Sequence, residues 1–298
     1  SAAQLELSAE LLSLPGAGDY TAEDGTDCRN YGLLAGLPEA RRLLSGIMGA
    51  PPDQVVVSNN SSLSLMHDVI AFSLLKGTCD SPAPWSQQGE IAFLCPVPGY
   101  DRHFRILEEY GIRMISVEIK EDGPDMDQVE RLAARDESIK GMWCMPKYSN
   151  PTGVVYSDSV IERLAAMKTA APDFRLFWDN AYTVHHLTGE RIEIANILEL
   201  GARHGQPNRA FVFASTSKIT LAGAGLGLFA ATLAPSIVVA LRGSANEPTS
   251  RADGAASRVT ETRSDFSRLI SFWAWSSSSV FWLSASASFR IVASSGVI

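Results

Sequence analysis

Cysteine is scarce in this sequence. Four of the 298 residues are cysteines, and they lie far apart, at Cys28, Cys79, Cys95 and Cys144. They form no CxxC pair and have none of the spacing of a disulfide framework, which argues against a disulfide-stabilised protein. A reducing compartment is the simpler interpretation, and we therefore expect a cytoplasmic location.

Positive charge is also scarce. The chain has 25 Lys and Arg against 33 Asp and Glu, a formal net charge of -8, and its basic residues are scattered. A nucleic-acid surface needs a basic patch to neutralise phosphates, so this class of partner is excluded. The opening segment SAAQLELSAELLSLPG is amphipathic and mildly acidic, and does not resemble a signal peptide. We expect small molecules or other protein chains as partners.

Apolar residues, by contrast, make up 46% of the chain, enough for a sizeable core in one large domain or two smaller ones. Between about residues 54 and 232, short β-prone runs alternate with segments of helical periodicity. The predicted strands are QVVVS, EIAFLC, RMISVEI, GMWCM, RLFWD, RAFVFAS and GLGLFAAT, and the predicted helices are SLSLMHDVIAFSLLKG, YDRHFRILEEYG, DMDQVERLAAR and SDSVIERLAAMKTAA. This alternation predicts an α/β fold with a mainly parallel sheet and helices on both faces.

Polar clusters follow several of the predicted strands. After VVV comes SNNSS, residues 58–62, which opens a helix and could bind a phosphate through free N–H groups and the helix dipole. An ordinary helix N-cap uses the same residue types, so this motif alone leaves both interpretations open. The loop PKYSNPTG, residues 146–153, follows GMWCM and could equally be a plain turn. The remaining motifs have to decide between these interpretations.

Two further strand ends carry charged residues. Asp179 and Tyr182 belong to DNAY after RLFW, and Lys218 belongs to STSK after RAFVFA. A carboxylate after four apolar residues is costly to bury unless it meets a cation or a strong donor. Because ligands of such sheets bind at the carboxyl ends of the strands, we expect these groups to share one edge.

The set of motifs resembles a known family. NPTG, DNAY and STSK, in this order and spacing, are similar to the fold type I pyridoxal-phosphate aminotransferases. The segments RNYGLLAGLPEAR, CPVPGYDRHF, PKYSNPTGVVYSD and FWDNAYTVHHLTGE resemble the bacterial aspartate aminotransferase branch, and the match extends from near the start to about Leu241. The resemblance implies a three-layer α/β/α large domain and pyridoxal 5'-phosphate as cofactor.

The resemblance also implies a role for each residue. Lys218 would form the Schiff base with the cofactor and move the substrate proton, and Asp179 would pair with the pyridinium nitrogen. Asn150 and Tyr182 would bind the phenolic oxygen of the ring, and Tyr100 would stack on its face, although a core tyrosine is the alternative for Tyr100. The phosphate would be held by Asn60, Ser61 and Ser62, helped by Ser215 and Ser217, and Tyr31 would reach the phosphate of a neighbouring subunit. The last match implies a homodimer.

The sequence departs from the family at two places. Many relatives carry a phosphate-binding arginine where this chain has Leu226, so backbone N–H groups and hydroxyls are expected to replace it. From Gly243 the chain is serine-rich and matches nothing in the family. We expect an N-terminal segment (1–45), a cofactor-binding large domain (46–242) and an unmatched tail (243–298), with the small domain largely missing. The carboxylate-binding arginine cannot be placed: Arg263, Arg268 and Arg290 lie in no recognisable motif.

Three other features have plainer interpretations. The tail segment LISFWAWSSSSVFWLSASASF has no charge and could span a membrane, but its many serines disfavour this. His185 and His186 are adjacent, and in a strand they would point to opposite faces, so we expect no metal site. Arg29 could contact a dicarboxylate substrate or lie on the surface.

The function expected from the resemblance is transamination of an amino acid, with aspartate and 2-oxoglutarate as substrates and a ping-pong mechanism. Two alternatives remain open at this point. One is another pyridoxal-phosphate reaction, such as that of a C–S lyase, and the other is a non-catalytic protein that binds the cofactor without a small domain.

Overall fold

Eight strands form one sheet in this computed structural model, which describes residues 6, 19–29, 33–186, 188–219, 223 and 225–232. The strands are β1 (Val55–Val57), β2 (Ala92–Val97), β3 (Arg113–Lys120), β4 (Gly123–Pro124), β5 (Ile139–Cys144), β6 (Arg175–Asp179), β7 (Ala210–Ser215) and β8 (Gly227–Ala230). Their order across the sheet is β1-β8-β7-β6-β5-β2-β3-β4. All described residues belong to one compact unit.

The centre of the sheet is parallel. Strand β2 pairs in parallel with β3 and β5, and β6 pairs in parallel with β5 and β7. Strand β8 is antiparallel to both β7 and β1, so β1 runs in the same direction as β7. The carboxyl ends of β1, β2, β5, β6 and β7 therefore lie along one edge of the sheet, and the expected mainly parallel sheet is confirmed.

Helices cover both faces of this sheet. They are α1 (Pro38–Met48), α2 (Ser62–Lys76), α3 (Asp101–Glu109), α4 (Met126–Ala133), α5 (Asp158–Ala166) and α6 (Ile197–Arg203). Buried residues of α1, α4, α5 and α6 form one core cluster, and those of α2 and α3 form a second. The three-layer α/β/α arrangement follows, because each face of the parallel sheet is apolar and has to be covered.

The two core clusters explain why the central strands read as continuous apolar runs. Strands β5 and β6 are buried along their whole length. On the α2 and α3 face, the Phe93 ring of β2 packs on the Phe177 ring of β6 across the intervening β5, with centroids 5.2 Å apart. Phe177 also packs on Phe213 of the neighbouring β7, at 5.8 Å. A Cβ at Gly141 would collide with the Phe93 ring, so glycine is required at this point of β5.

Helices α1 and α6 were not predicted from periodicity. Helix α6 has seven residues, too few for a helical pattern to stand out, and is capped by Asn196, whose side chain accepts from the amides of Leu198 and Glu199. Helix α1 begins at Pro38 without a side-chain cap and ends at Gly49 in the left-handed conformation, at φ 60°. Both helices are held by packing on the sheet, which a local pattern does not reveal.

At the amino edge of the sheet, opposite the predicted site, Asp173 is completely buried. Its Oδ1 accepts from Lys140 Nζ at 2.9 Å, and its Oδ2 accepts from Ser81, Trp85 and Gln88 at 2.7 to 3.0 Å. Burial alone would raise the pKa of Asp173, but hydrogen bonds from Lys140, Ser81 and Gln88 outweigh it and lower that pKa. The cluster fixes the starts of β5 and β6 to the segment before β2.

Asp173→Asn is expected to lower the free energy of unfolding by about 3–5 kcal/mol at pH 7, because it leaves the Lys140 ammonium buried without a counter-charge. Chemical denaturation of the parent, of this variant and of Asp53→Asn, at an exposed aspartate, measures the difference. The exposed substitution should change stability by less than about 0.5 kcal/mol.

The pH dependence of this difference checks its cause. A carboxyl whose pKa is lowered in the folded state stabilises the fold above its unfolded pKa of about 3.9, and this contribution is lost as the pH falls through the folded value. The gap between parent and Asp173→Asn should therefore be full at pH 7 and shrink below about pH 4. If the stability difference between the parent and Asp173→Asn does not change with pH, the lost stability comes from a change of side-chain shape and not from the lost charge.

No helix in the described ranges is long and apolar enough to cross a bilayer. The apolar tail segment discussed above lies outside these ranges. The division at residues 45/46 and 242/243 stays a prediction.

Candidate active site

The predicted site residues lie at the carboxyl edge of the sheet. They follow five strands that end at this edge: residues 58–62 follow β1, Tyr100 follows β2, Asn150 follows β5, Asp179 ends β6, and residues 215–218 end and follow β7. Strands β5, β6 and β7 are direct neighbours, so Asn150, Asp179 and Lys218 follow one another along the edge. Tyr31 lies outside the described residues, as do Arg263, Arg268 and Arg290.

Asp179 is the buried charge of this edge, with 4% of its surface exposed. Its Oδ2 lies 3.0 Å from His103 Nε2, and its Oδ1 is buried without a hydrogen-bond partner among the described residues. A buried carboxylate oxygen is costly unless a donor satisfies it. The oxygen is therefore suited to a ligand that brings an N–H group, such as a protonated pyridine ring.

His103 is a candidate site residue that no sequence motif indicated. It is buried on α3, its ring lies parallel to Trp143 at 4.3 Å between centroids, and its edge meets Tyr100 at 5.1 Å. A signal was present, because His103 stands three residues after Tyr100 and so lies on the same face of the helix start. A single histidine at that spacing does not indicate a role by itself.

Tyr182 and Lys218 face each other. Lys218 Nζ lies 4.7 Å from the centre of the Tyr182 ring, and the Lys218 side chain is exposed at the mouth of the site. Burial and the nearby Asp179 carboxylate raise the pKa of Tyr182, and the same two causes raise the pKa of Tyr100. Both phenols therefore keep their protons at neutral pH and can donate hydrogen bonds.

The segment after β1 forms a cradle against the start of β8. Asn59 adopts the left-handed conformation at φ 64°, and Ser217 Oγ donates to Asn60 O at 3.2 Å. A Cβ at Gly225 would collide with Ser217 Oγ and lie 3.1 Å from Asn60 O, so only glycine lets these chains approach. Ser61 caps α2, its Oγ accepting from Leu63 N at 3.2 Å, and Ser62 is the first residue of that helix. The N-cap interpretation of SNNSS is confirmed, and the free amides of the helix start remain suited to an anion.

Asn150 lies in a loop that is held by hydrogen bonds among its own residues. Its amide lies 3.1 Å from Met145 Sδ, Ser149 Oγ donates to Met145 O, and Tyr156 N donates to Pro146 O at 2.8 Å. The peptide bond from Asn150 to Pro151 is cis. Asn150 itself is exposed at the edge beside Asp179, where an amide can reach a ligand.

Lys147 is a second lysine at this edge. It is 3% exposed, and its Nζ donates to Thr183 O at 2.8 Å. Burial lowers the pKa of Lys147, and the Glu193 carboxylate partly offsets this. Lys147 lines a cavity of about 160 Å³ together with Asn180, Thr183 and Glu193. Side chains alternate along a strand, so Asn180 and this cavity lie on the opposite side of β6 from Asp179. Lys147 thus braces the loop after β6.

His185 and His186 lie outside any strand, so the premise that they point to opposite faces of a strand was wrong. The turn after β6 places them in an irregular segment. His185 Nε2 lies 3.0 Å from Lys218 O, whereas His186 is exposed. Arg29 pairs with Asp27 and lies over the Tyr20 ring at 3.7 Å.

The residues present fit pyridoxal 5'-phosphate. Asp179 Oδ1, which has no hydrogen-bond partner among the described residues, suits the pyridinium N–H, and the glycine-lined cradle at α2 suits the phosphate. The Tyr100 and Tyr182 phenols, the Asn150 amide and Lys218 lie at the same edge of the sheet. Leu226 makes two backbone hydrogen bonds to Thr216: its carbonyl oxygen accepts from Thr216 N at 3.0 Å, and its amide donates to Thr216 Oγ1 at 2.9 Å.

Similarity to known proteins shows which family the chain belongs to. The sequence model described as aspartate amino-transferase matches residues 1–240. The chain belongs to the aspartate aminotransferase family. This confirms the resemblance seen in the motifs, and the matched segment ends close to the point where the motif resemblance ends.

Individual members of the family agree with this. An aspartate aminotransferase of Corynebacterium glutamicum is 53% identical over 229 residues, covering 77% of this chain and 53% of that protein. The crystal structure of an aspartate transaminase from the same organism superposes with a TM-score of 0.78 at 50% identity, covering 82% of this chain and 58% of the other. The α-aminoadipate aminotransferase of Thermus thermophilus, solved with N-(5'-phosphopyridoxyl)-L-leucine, shares the fold at 21% identity, with a TM-score of 0.58 over 73% of this chain and 51% of the other. The chain thus spans a little over half the length of these proteins.

Gly225→Ala is expected to weaken binding of pyridoxal phosphate about tenfold, because the new Cβ forces Ser217 to rotate and breaks its hydrogen bond to Asn60 O. Titration followed by absorbance gives the dissociation constant. Gly223→Ala is the matched control, since its Cβ would meet nothing within 4 Å.

The same titration with pyridoxal, which lacks the phosphate, separates the cradle from the rest of the site. Gly225→Ala should leave the affinity for pyridoxal close to that of the parent. An equal loss for both ligands would mean that residue 225 acts on the ring and not on the phosphate.

Proposed function

We propose that this chain carries the cofactor site of a pyridoxal-phosphate-dependent aminotransferase that transfers the amino group of aspartate to 2-oxoglutarate. The observation that carries the proposal is the buried Asp179 carboxylate: one oxygen lies 3.0 Å from His103 Nε2, and the other has no hydrogen-bond partner among the described residues. The family supports an aminotransferase, and the Corynebacterium glutamicum relatives named for aspartate support the amino donor.

Pyridoxal phosphate, when bound, supplies an aldehyde that takes up the amino group and a ring that accepts electron density. The protein supplies the charges around it. Asp179 would keep the pyridine nitrogen protonated, and His103, packed on Trp143, would hold the carboxylate in place. A buried charge pair is strong in this position because little solvent screens it.

Lys218 would have two tasks. Its amine would link covalently to the cofactor, which requires a neutral Nζ, and once released it would carry the proton that leaves the substrate Cα. The exposed side chain on a turn beside the Tyr182 ring has the freedom that both tasks need. Arginine could do neither, because it stays protonated and is a poor nucleophile.

The remaining polar groups would fix the ring and the phosphate. Tyr182 would donate its hydroxyl hydrogen to the phenolic oxygen of the ring, and Asn150 would donate from the neighbouring loop. Tyr100 would stack on the ring face. The helix start at Asn60, Ser61 and Ser62, together with Ser215 and Ser217, would hold the phosphate.

The substrates and the assembly belong to the same proposal. An amino acid and a 2-oxoacid would bind in turn in a ping-pong cycle, because one site serves both half-reactions. Tyr31 would complete the phosphate site of a second copy, which makes the protein a homodimer. We further propose a cytoplasmic location, which agrees with the free cysteines Cys28, Cys79, Cys95 and Cys144.

A second candidate is a protein that binds the cofactor without turning over an amino acid. The site described above concerns the cofactor alone, so it serves this candidate equally well.

The absorbance spectrum of the chain with pyridoxal phosphate, recorded before and after addition of aspartate, separates these candidates. The aminotransferase predicts a band of lysine-bound cofactor that aspartate converts to the band of the aminated cofactor, and that 2-oxoglutarate restores. A band that ignores amino acids favours the second candidate. A spectrum equal to that of free cofactor contradicts both.

A further inference from the structure

Four segments of the carboxyl edge are joined by three hydrogen bonds from side chains to backbone carbonyls. Lys147, after β5, donates to Thr183 O at 2.8 Å; His185, after β6, lies 3.0 Å from Lys218 O; and Ser217, after β7, donates to Asn60 O at 3.2 Å. Each of these hydrogen bonds joins two segments that carry proposed cofactor contacts. The hydrogen bond of His185 is to the backbone carbonyl of Lys218, the proposed reactive lysine.

The geometry assigns a protonation pattern to His185. A carbonyl oxygen only accepts, so Nε2 carries the hydrogen in its contact with Lys218 O. Nδ1 is buried and has no partner among the described residues, so no second contact competes for the ring. The backbone amide of His185 donates to Tyr182 O at 3.1 Å, and its ring meets the edge of the Tyr182 ring at 5.6 Å and 85°.

His185 therefore links two groups of the site. Its backbone and ring are fixed to Tyr182, and its Nε2 holds the carbonyl of Lys218. The turn at Lys218 is also held by Ser217 Oγ to Asn60 O, by Thr216 N to Leu226 O at 3.0 Å and by Ile219 N to Thr216 O at 2.9 Å. A lysine side chain has four rotatable bonds, so the position of its Cα decides where Nζ can reach.

We propose that His185 is a positioning residue that sets the backbone of Lys218 relative to Tyr182, and so brings Nζ to the bound cofactor. This inference rests on the proposed function, because it gives a purpose to the contact between His185 and Lys218. His185 touches neither substrate nor cofactor in this account. Its role is to lower the entropic cost of ordering Lys218 before the covalent link to the cofactor forms.

Two substitutions at His185 and one at its neighbour test the proposal. His185→Leu removes the donor, His185→Gln keeps an N–H donor at similar reach, and His186→Leu removes an exposed histidine next in the chain. Hydrogen–deuterium exchange of the peptide containing residues 215–219, measured without cofactor, reports the backbone at Lys218. We expect exchange about three- to tenfold faster in His185→Leu, the size of one lost hydrogen bond, and parent-like exchange in the other two variants.

The second measurement is cofactor attachment. The concentration of pyridoxal phosphate needed for half-maximal attachment to lysine should rise about tenfold in His185→Leu and return towards the parent value in His185→Gln. A merely structural histidine would not be rescued in this way. Exchange in β6, residues 175–179, serves as the check that each variant is folded.

Each outcome has one meaning. Equal exchange in His185→Leu and His186→Leu overturns the contact, and faster exchange with unchanged attachment overturns the positioning role. A parent chain that attaches no cofactor overturns the proposed function and the positioning role together, while the exchange data still report whether His185 holds the turn. Faster exchange together with weaker attachment, both restored by glutamine, supports the proposal.

Discussion

Replacing Lys218 with alanine is expected to abolish covalent cofactor binding and to lower the transamination rate by at least about 10⁴-fold, the upper range for loss of a general acid–base group. The loss is large because one amine serves both as the covalent anchor and as the carrier of the substrate proton. The cofactor should still bind non-covalently, since Asp179 and the cradle at α2 remain. The half-reaction with aspartate, followed by absorbance, measures the rate.

Lys218→Arg is the matched control for charge. Arginine keeps the positive charge beside Tyr182 but does not condense with an aldehyde, so it should be as inactive as alanine. A Lys168→Ala variant, at an exposed lysine away from this edge, should behave like the parent. Substantial activity in Lys218→Arg would show that the charge at this position matters and its nucleophilic chemistry does not.

Asp179→Asn is expected to lower the rate about 10³-fold and to weaken cofactor binding by no more than about tenfold. Asparagine has nearly the same shape and can still bind His103, but it lacks the charge that keeps the pyridine nitrogen protonated. The effect should therefore fall on the chemical step. The half-reaction rate at saturating aspartate measures the effect on the chemical step, and the cofactor dissociation constant measures the effect on binding.

Two variants refine this prediction. Asp179→Glu restores the charge with a longer side chain and should recover part of the lost rate. His103→Gln keeps a donor near the carboxylate, and should cost less than Asp179→Asn if His103 only orients it. If Asp179→Asn loses the cofactor but keeps the rate once saturated, Asp179 is a binding group and the assigned role is wrong.

The parallel sheet could be predicted because its strands carry their own signal. Strands β5, β6 and β7 are buried on both faces, so they appear as unbroken apolar runs between helical segments. The rule that ligands bind at the carboxyl ends of such strands then predicts that Asn150, Asp179 and Lys218 lie together. The structure brings these three residues to neighbouring positions along one edge.

The parts that could not be predicted depend on contacts between distant segments. The partner of Asp179 is His103, on a helix 76 positions away in sequence, and the partner of His185 is a backbone carbonyl 33 positions away. No local pattern encodes such contacts. The short helix α6 was missed for a related reason, because packing and not propensity holds it.

The roles of individual residues came from the family resemblance and stay proposals for this chain. Physical chemistry narrows them: a buried carboxylate with one oxygen that has no partner among the described residues, two phenols with raised pKa and a glycine-lined helix start are a coherent set for a phosphorylated pyridine. Lys147 shows why geometry is needed as well. It is a buried lysine with a lowered pKa, yet its Nζ is bound to Thr183 O and lines a cavity on the other side of β6.

Reductive trapping tests the central claim most directly. The chain is incubated with pyridoxal phosphate, reduced with borohydride and digested, and the modified peptide is identified by mass spectrometry. The account predicts a phosphopyridoxyl group on Lys218 in the parent and no specific modification in Lys218→Ala. Modification of Lys147, or labelling spread evenly over exposed lysines, would contradict it.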